Sequence, residues 1–412
     1  MTAPAAPAAR PRAARPLDRF VTLALPIVAV LVLLVFVGAA AWAAAQAGTL
    51  GFDFLSYDSA VRRFLAGGVL YDQSFDFTGA FGLFYYPPPF VLLALPLTVL
   101  APSSAAIAFT AILLVTFIAA VALMPVPARV RWVVLLLGGM SWPLVYAIKL
   151  GQVGPILLLL FTIGWRWMDR PWRFGAATAI GIAIKIQPFL LVGWALLTGR
   201  RRAVWATLAV FAVFAVAATL VAGPSSWVDQ ATLLARVSKP IDTPHNFTPG
   251  RLAFEAGAPV ALAWAVQIAN WVAVALVVLY AIRRASPVAS YLAVVIASQL
   301  ISPILWDHYA LMLLLPVAWL LLKGQWWAVL VPLATSVPLV GISPSVTYPL
   351  AFWVTLLAVV WLGRAEQRAA PDAPVAFDAP QASDAPEASE APDAPDAPST
   401  APRPVPITKA AS

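Results

Sequence analysis

Asp53 stands at the head of the stretch "GFDFLSYDSAVRRFLAGGVLYD" (Gly51–Asp72), which follows directly on the first long apolar run and also carries Asp58 and Asp72. A carboxylate beside a hydroxyl can take its proton as general base, so the acids of a charge-poor chain are the first residues to weigh. The chain has 18 acidic residues. Seven of them (Asp372, Asp378, Asp384, Glu387, Glu390, Asp393 and Asp396) fall in an Ala/Pro-rich C-terminal segment, which leaves eleven. Two lysines offer the complementary chemistry. Lys149 in "YAIKLGQVG" and Lys185 in "IAIKIQPF" each sit in an apolar neighbourhood, with Gln152 and Gln187 close behind. An ammonium in such surroundings is costly unless it meets an anion. Snorkelling to lipid headgroups is the plainer explanation of either lysine alone, but two on one side favour an anion site. "LISPILWDHYALMLLLP" then puts Asp307, His308 and Tyr309 at a helix start, where Asp307 could be only a cap and His308 only a structural residue.

The frame that positions these residues is a membrane protein. Of 412 residues, 62% are hydrophobic, 11% are charged and 17 are tryptophan, with a mean hydropathy of +0.86. A soluble fold of this length needs far more charge. Without cysteine there is no disulfide framework, thiolate nucleophile or Cys metal site. The two histidines, His245 and His308, are too few for a His-rich metal centre, so no dedicated metal site and no cofactor are expected, and dependence on a loosely held divalent cation stays open. The net charge of +8 comes from Lys and Arg at the ends of apolar runs, an orientation signal rather than a nucleic-acid footprint. The N-terminus (Arg10, Arg12, Arg15, Arg19, then apolar from Phe20 to about Ala47) is too long for a signal peptide and reads as a retained first transmembrane helix.

Runs long enough to cross a bilayer, about 17 to 25 residues, lie near 20–46, 103–124, 131–148, 152–168, 203–222, 259–282, 305–322, 326–342 and 346–363. Shorter apolar pieces lie near 88–101, 174–185, 188–198 and 288–303. The expected fold is an all-α polytopic bundle of about 11 to 13 transmembrane or half-membrane helices. Arg200 to Arg202, Arg283 and Arg284, Lys323, and Arg364 with Arg368 occupy alternate loops and belong on the cytoplasmic side. The loops 47–87 and 223–258 then face outward, with the turns near 304–308 and 343–345. Arg166, Arg170 and Arg173 also belong inside, so the apolar stretch before Arg200 must be two half-helices meeting near Lys185, Gln187 and Pro188. The same parity makes 88–101, which follows Pro87 to Pro89, a short or re-entrant piece. Residues 1–19 and 364–412 read as disordered cytoplasmic ends around a membrane domain at 20–363.

With that orientation Asp53, Asp58, Asp72, Asp76, Asp229, Asp242, Glu255 and Asp307 all reach the outer face, as do both histidines; Asp18, Asp169 and Glu366 are cytoplasmic. In the first outer loop Tyr57, Val61, Phe64 and Leu65 recur at helical spacing, and Gly67 and Gly68 end the pattern. Arg62 and Arg63 face away from that stripe, which predicts an interfacial helix along the membrane surface. Asp53 and Asp58, five residues apart, point about 140° away from each other on a helix, so they do not form a carboxylate dyad. Asp53 could simply cap the helix or complement its dipole. For Asp58, Asp72 and Asp76 a solvated loop acid is the favoured reading. The outer aromatics Phe84, Tyr85, Tyr86, Trp142, Trp306 and Tyr309 suit, for the most part, a membrane-interface belt.

Six motifs in order, "FDFLSY" (Phe52–Tyr57), "LAGGVLYD" (Leu65–Asp72), "FYYPPPFVLLALPL" (Phe84–Leu97), "KLGQVGPILLLL" (Lys149–Leu160), "IKIQPFLL" (Ile184–Leu191) and "WDHYALMLLLP" (Trp306–Pro316), together resemble glycosyltransferase family 87 over roughly residues 50–320. The resemblance implies a GT-C-type membrane enzyme that uses polyprenyl-phosphate sugars, with mannosyltransferases the best-known members. It also implies an aspartate of the first outer loop as base, and Asp53 is the residue at that place. Gly151 and Gln152 match the family's "GQ", and Lys185 to Pro188 match a further pattern. The resemblance implies a second histidine at the position where this chain has Asp307, so a two-histidine site does not carry over.

A lipid-phosphate sugar donor needs a base for the acceptor hydroxyl and cations for the departing phosphate. The expected assignment is Asp53 as catalytic base, with Lys149, Gln152, Lys185, Arg251, His308, Tyr57 and Tyr86 as substrate contacts. The partners are then a polyprenyl-phosphate sugar, a lipid-linked or glycan acceptor and membrane lipids, with no nucleic acid. The expected location is the bacterial inner membrane, with the site facing the periplasm or exterior. A single carboxylate implies inversion. Mannose against arabinofuranose stays open, and the rival from another class is a lipid or sugar transporter.

Overall fold

A computed structural model describes residues 16–74 and 82–369, with side chains from residue 23 onward. The side chain of Asp18, all of Asp76, the chain up to residue 15 and the segment 370–412 lie outside the described residues.

The chain enters through α1 (Pro16–Gln46), turns at Gly48 and Gly51, and forms α2 (Phe52–Leu65). Next come α3 (Phe90–Ala94), a 3-10 turn at Leu95–Val99, α4 (Pro102–Leu123), α5 (Ala128–Gly139) and α6 (Trp142–Leu150). α7 (Gly154–Arg166), α8 (Pro171–Ile184), a 3-10 turn at Gln187–Phe189, α9 (Leu190–Leu197) and α10 (Arg201–Ala222) follow. The next stretch is α11 (Ser225–Val237), α12 (Pro249–Glu255), α13 (Val260–Arg284) and α14 (Pro287–Leu300). After a 3-10 segment at Asp307–Leu313, α15 (Leu314–Leu322), α16 (Leu330–Ala334) and α17 (Thr347–Ala369) complete the described fold, which contains no strand among these residues.

Proline sets many of the starts: α4, α6, α7, α8, α12 and α14 each carry it in the first two positions. There the missing N–H would have had no partner anyway, and the fixed φ is already helical.

Among the described residues, five helices are long and apolar enough to cross a membrane: α1 from Leu23, α4, α10, α13 and α17. α5 and α6 make a sixth span as a pair bent by 60°. The bend falls at Ser141, whose hydroxyl donates to the Gly138 carbonyl at 2.7 Å and accepts from the Leu144 N–H, with Pro143 two residues further on. The 11 to 13 segments expected from hydropathy thus resolve into five or six full-length spans and a set of shorter apolar helices. The run 326–342 is not a continuous helix. It is divided among a 3-10 turn at Trp326–Val329, α16 and another turn at Val337–Val340, because Pro338 cannot donate into a helix and Gly341 turns the chain at φ 76°. At its end α17 continues through residues 364–369, which the sequence reading gave to the tail.

The half-helix expectation around Lys185 holds. α8 stops at Ile184, Lys185 is extended (φ −152°, ψ 141°), and the chain re-enters helix through Gln187–Phe189 into α9. Pro188 explains the break: it has no N–H to give the Ile184 carbonyl four residues back, and in a continuous helix its ring would clash with that carbonyl.

α14 lies at the centre: every residue from Ala289 to Leu300 is buried, as expected of a helix that is apolar all round. Around it pack α7, α9, α13 and α17. Polar residues on α13 tie in the second large loop. Gln267 Oε1 accepts the Gly250 N–H at 3.0 Å, and Asn270 bridges the Leu300 carbonyl and the Trp353 indole. Such buried amides hold helices together where the apolar face alone is as content in lipid.

Candidate active site

Asp53 lies in the first turn of α2. The Gly51 N–H just before it donates to the Lys149 carbonyl at 2.8 Å, which anchors the start of α2 to the end of α6. α6 terminates at Gly151, whose left-handed backbone (φ 71°, ψ 40°) turns the chain so that Gln152 faces Asp53. The Gln152 amide donates to Asp53 Oδ2. Behind it, the Tyr86 hydroxyl donates to Gln152 Oε1 at 3.2 Å, and the Tyr57 and Tyr86 hydroxyls are 2.7 Å apart. Tyr71 in turn donates to the Tyr86 carbonyl at 2.7 Å. The carboxylate is therefore the exposed end of a buried relay whose members orient one another.

Burial pushes the Asp53 carboxyl up to about 6, against the Gln152 hydrogen bond and the Lys185 charge, which act to lower it. α2 is not among the spanning segments. A base poised near the working pH is what proton abstraction from a hydroxyl asks for.

Lys185 is buried, its ammonium 4.2 Å from the centre of the Tyr309 ring and 6.0 Å from that of Tyr86. It lies between two aromatic faces, which favour a cation, and its charge reaches both Asp53 and His308. His308 is buried edge-on to Tyr309, and neither ring nitrogen has a hydrogen-bond partner among the described residues. Asp53, Gln152, Tyr86, Lys185 and His308 thus form one cluster.

Other expected contacts stand apart from it. Arg251 is occupied by Glu255 at 2.8 Å and by the Ile241 carbonyl at 2.6 Å, so it braces the second loop. Lys149 contributes its backbone carbonyl to the anchor, and no contact of its ammonium joins it to Asp53 among the described residues. Tyr57 is buried behind Tyr86 and supports it.

Asp58 corrects the sequence reading. It is 2% exposed, not a solvated loop acid, and its Oδ2 accepts from Arg62 Nε at 2.7 Å. Arg62 also donates to the Leu100 carbonyl at 2.6 Å, so the pair fastens α2 to the turn before α4. Asp72 is half-exposed, and it accepts from the Ser74 backbone N–H and hydroxyl. The apolar stripe of α2 also shifts: Phe54 is buried, stacked on Phe109 at 4.6 Å, whereas Leu65 is exposed.

A second group adjoins the cluster. The Trp142 indole N–H donates to Asp307 Oδ1 at 3.0 Å, and Trp142 stacks with Tyr146 at 4.9 Å and 17° between planes. The charges of Asp307 and Asp53 both act on Tyr146. Sequence reasoning passed over Tyr146, although two aromatics spaced i, i+4 just ahead of "KLGQ" were a signal for it.

Spanning helices that lead to a half-buried, electrostatically tuned carboxylate with a cation nearby define an integral membrane protein with an enzyme-like centre at the helix ends. The model of glycosyltransferase family 87 matches residues 84–303, and the chain belongs to that family of glycosyltransferases. The matched segment holds Tyr86, Gln152 and Lys185; Asp53 precedes it and His308 follows it. Among characterised proteins, the chain is similar to a polyprenol-phosphate-mannose-dependent alpha-(1-2)-phosphatidylinositol mannoside mannosyltransferase of Mycobacterium tuberculosis. The two are 27% identical over an alignment covering 62% of this chain and 67% of the relative. No solved structure matches the chain.

Proposed function

We propose that the chain moves a hexosyl group, mannosyl in the first instance, from a polyprenyl-phosphate sugar to a hydroxyl of a lipid-linked or cell-envelope glycan. The reaction takes place at the non-cytoplasmic face of the bacterial inner membrane. The observation that carries this reading is Asp53: a carboxylate held by Gln152, tuned to about 6 by burial and within the field of Lys185. Family membership and the donor in the relative's name support the substrate class.

In the proposed reaction the acceptor oxygen attacks the anomeric carbon as its proton passes to Asp53. The bond from that carbon to the phosphate oxygen breaks, and the polyprenyl phosphate leaves with the electron pair. General-base assistance of this kind contributes about 10²- to 10⁴-fold. Lys185 supplies positive charge where the phosphate gains it, and His308, with both nitrogens unclaimed by the protein, supplies a further polar contact. Gln152 and Tyr86 hold the carboxylate in place. Displacement from the face opposite the phosphate inverts the centre, so a β-linked donor yields an α-linked product.

The test is transfer by the purified protein in liposomes, with polyprenyl-phosphate-mannose and, in parallel, its arabinofuranose counterpart, each offered with glycolipid acceptors. Mannosyl transfer that Asp53→Asn abolishes is the expected result. Solute uptake without glycosyl transfer would sink the enzyme reading, and full transfer by Asp53→Asn would sink the base assignment.

A further inference from the structure

The pair Trp142 and Tyr146 has no part in the chemistry just described, yet it is built as a platform beside it. The two rings are nearly parallel, one helical turn apart on α6, and both are only partly buried. Asp307 closes one side. A carboxylate has about four acceptor positions, and the Trp142 indole N–H fills one of them. The acid is 8% exposed, so it is fixed in place and already largely stripped of water. From the second large loop, Asn246 accepts the Leu305 N–H at 2.8 Å and donates to the Pro303 carbonyl at 3.1 Å, and so pins the loop onto the turn that carries Asp307. The next residue back, His245, is exposed, with a left-handed backbone (φ 54°), and is electrostatically coupled to Asp307. Tyr146 is in the field of both Asp307 and Asp53.

We infer that Trp142, Tyr146 and Asp307 form the acceptor subsite, and that the acceptor presents a hexopyranose ring there rather than a bare lipid alcohol. A sugar ring has an apolar face of C–H groups and an equator of hydroxyls. The face suits the aromatic pair, and the hydroxyls suit a fixed carboxylate, to which hydrogen bonds are strong. A lipid alcohol could use the rings but would leave the remaining acceptor positions of the buried acid unfilled. On this arrangement one hydroxyl of the ring is directed at Asp53 while the others are read by Asp307. The inference rests on the glycosyltransferase reading proposed above, and sets the substrate class of its second site.

The test separates the two claims because it reads binding without turnover. Mannobiose is titrated against the full chain in nanodiscs, without donor, by saturation-transfer NMR. Wild type should bind it. Asp307→Asn and Tyr146→Leu should each weaken binding about tenfold or more, as should Trp142→Phe, which keeps a ring but removes the indole donor. Trp361→Phe, on a lipid-exposed face of α17, should bind as wild type does. Thermal unfolding of each variant shows that the fold survives. If wild type does not bind the sugar, or if folded Asp307→Asn and Tyr146→Leu bind it unchanged, the subsite is wrong whatever the transfer assay gives. If the sugar binds as described but no donor supports transfer, the subsite stands and the transferase reading fails.

Discussion

Gly151 and Phe54 are in contact with no space for a side chain between them: a Cβ on Gly151 would fall 2.6 Å from the Phe54 Cβ. This close approach, more than any property of Asp53 itself, sets where the carboxylate sits. Phe54 is the next residue in α2, and Gln152 is the next residue after Gly151. Gly151→Ala meets that clash and a positive φ together. It should lower transfer at least tenfold while donor affinity changes little, as measured by kcat against the donor KM in proteoliposomes.

Asp53 should set the acid limb of the pH profile. As base it works only when ionised, and its carboxyl lies at about 6. Transfer should therefore be flat above that value and fall as pH drops through it. In Asp53→Asn the rate should be lower by about 10²- to 10⁴-fold, and the residual rate should show no such limb.

The supports of Asp53 should move that limb. Gln152 and Lys185 both act to lower its carboxyl, so Gln152→Leu and Lys185→Met should each shift the limb to higher pH. Lys185→Met should also raise the donor KM about tenfold or more, from the loss of a charge-assisted contact. Gln152→Leu should leave donor KM nearly unchanged. A limb that moves to lower pH in either variant would contradict the assigned roles.

Arg62 and Asp58 predict a stability effect away from the chemistry. Arg62→Gln leaves a carboxylate with a 3% exposed side chain and no cation, which should cost about 1–3 kcal/mol. Thermal unfolding in detergent should show it. Replacing both residues with leucine should recover much of the loss, because the buried charge is removed along with its partner.

Much of the site was legible because polar residues are conspicuous in so apolar a chain. Asp53, Gln152 and Lys185 could each be singled out, and the break at Lys185 followed from Pro188 and the spacing of the arginine clusters. The resemblance at "KLGQ" and "FDFLSY" added the base assignment. Partnerships between distant segments were not legible. Arg62 satisfies both Asp58 and the Leu100 carbonyl, and Arg251 is spent on Glu255 and Ile241; local spacing shows only half of each arrangement. Hydropathy also overstated 326–342, since it averages apolar content without registering what Pro338 and Gly341 do to the backbone.

The enclosure of α14 imposes an order on biogenesis. Its 14 residues reach about 21 Å, short of the ~30 Å hydrocarbon core, and from Ala289 onward no face is left for lipid. It is walled in part by α17, and Tyr348 near the start of α17 also accepts the Ala310 N–H at 3.1 Å, bracing the turn that carries Asp307 and His308. The ribosome makes α17 after every other described helix. A nascent chain can thread its earlier spans into the bilayer, but the side of the candidate site that carries Asp307 and His308 is braced only when that last helix arrives.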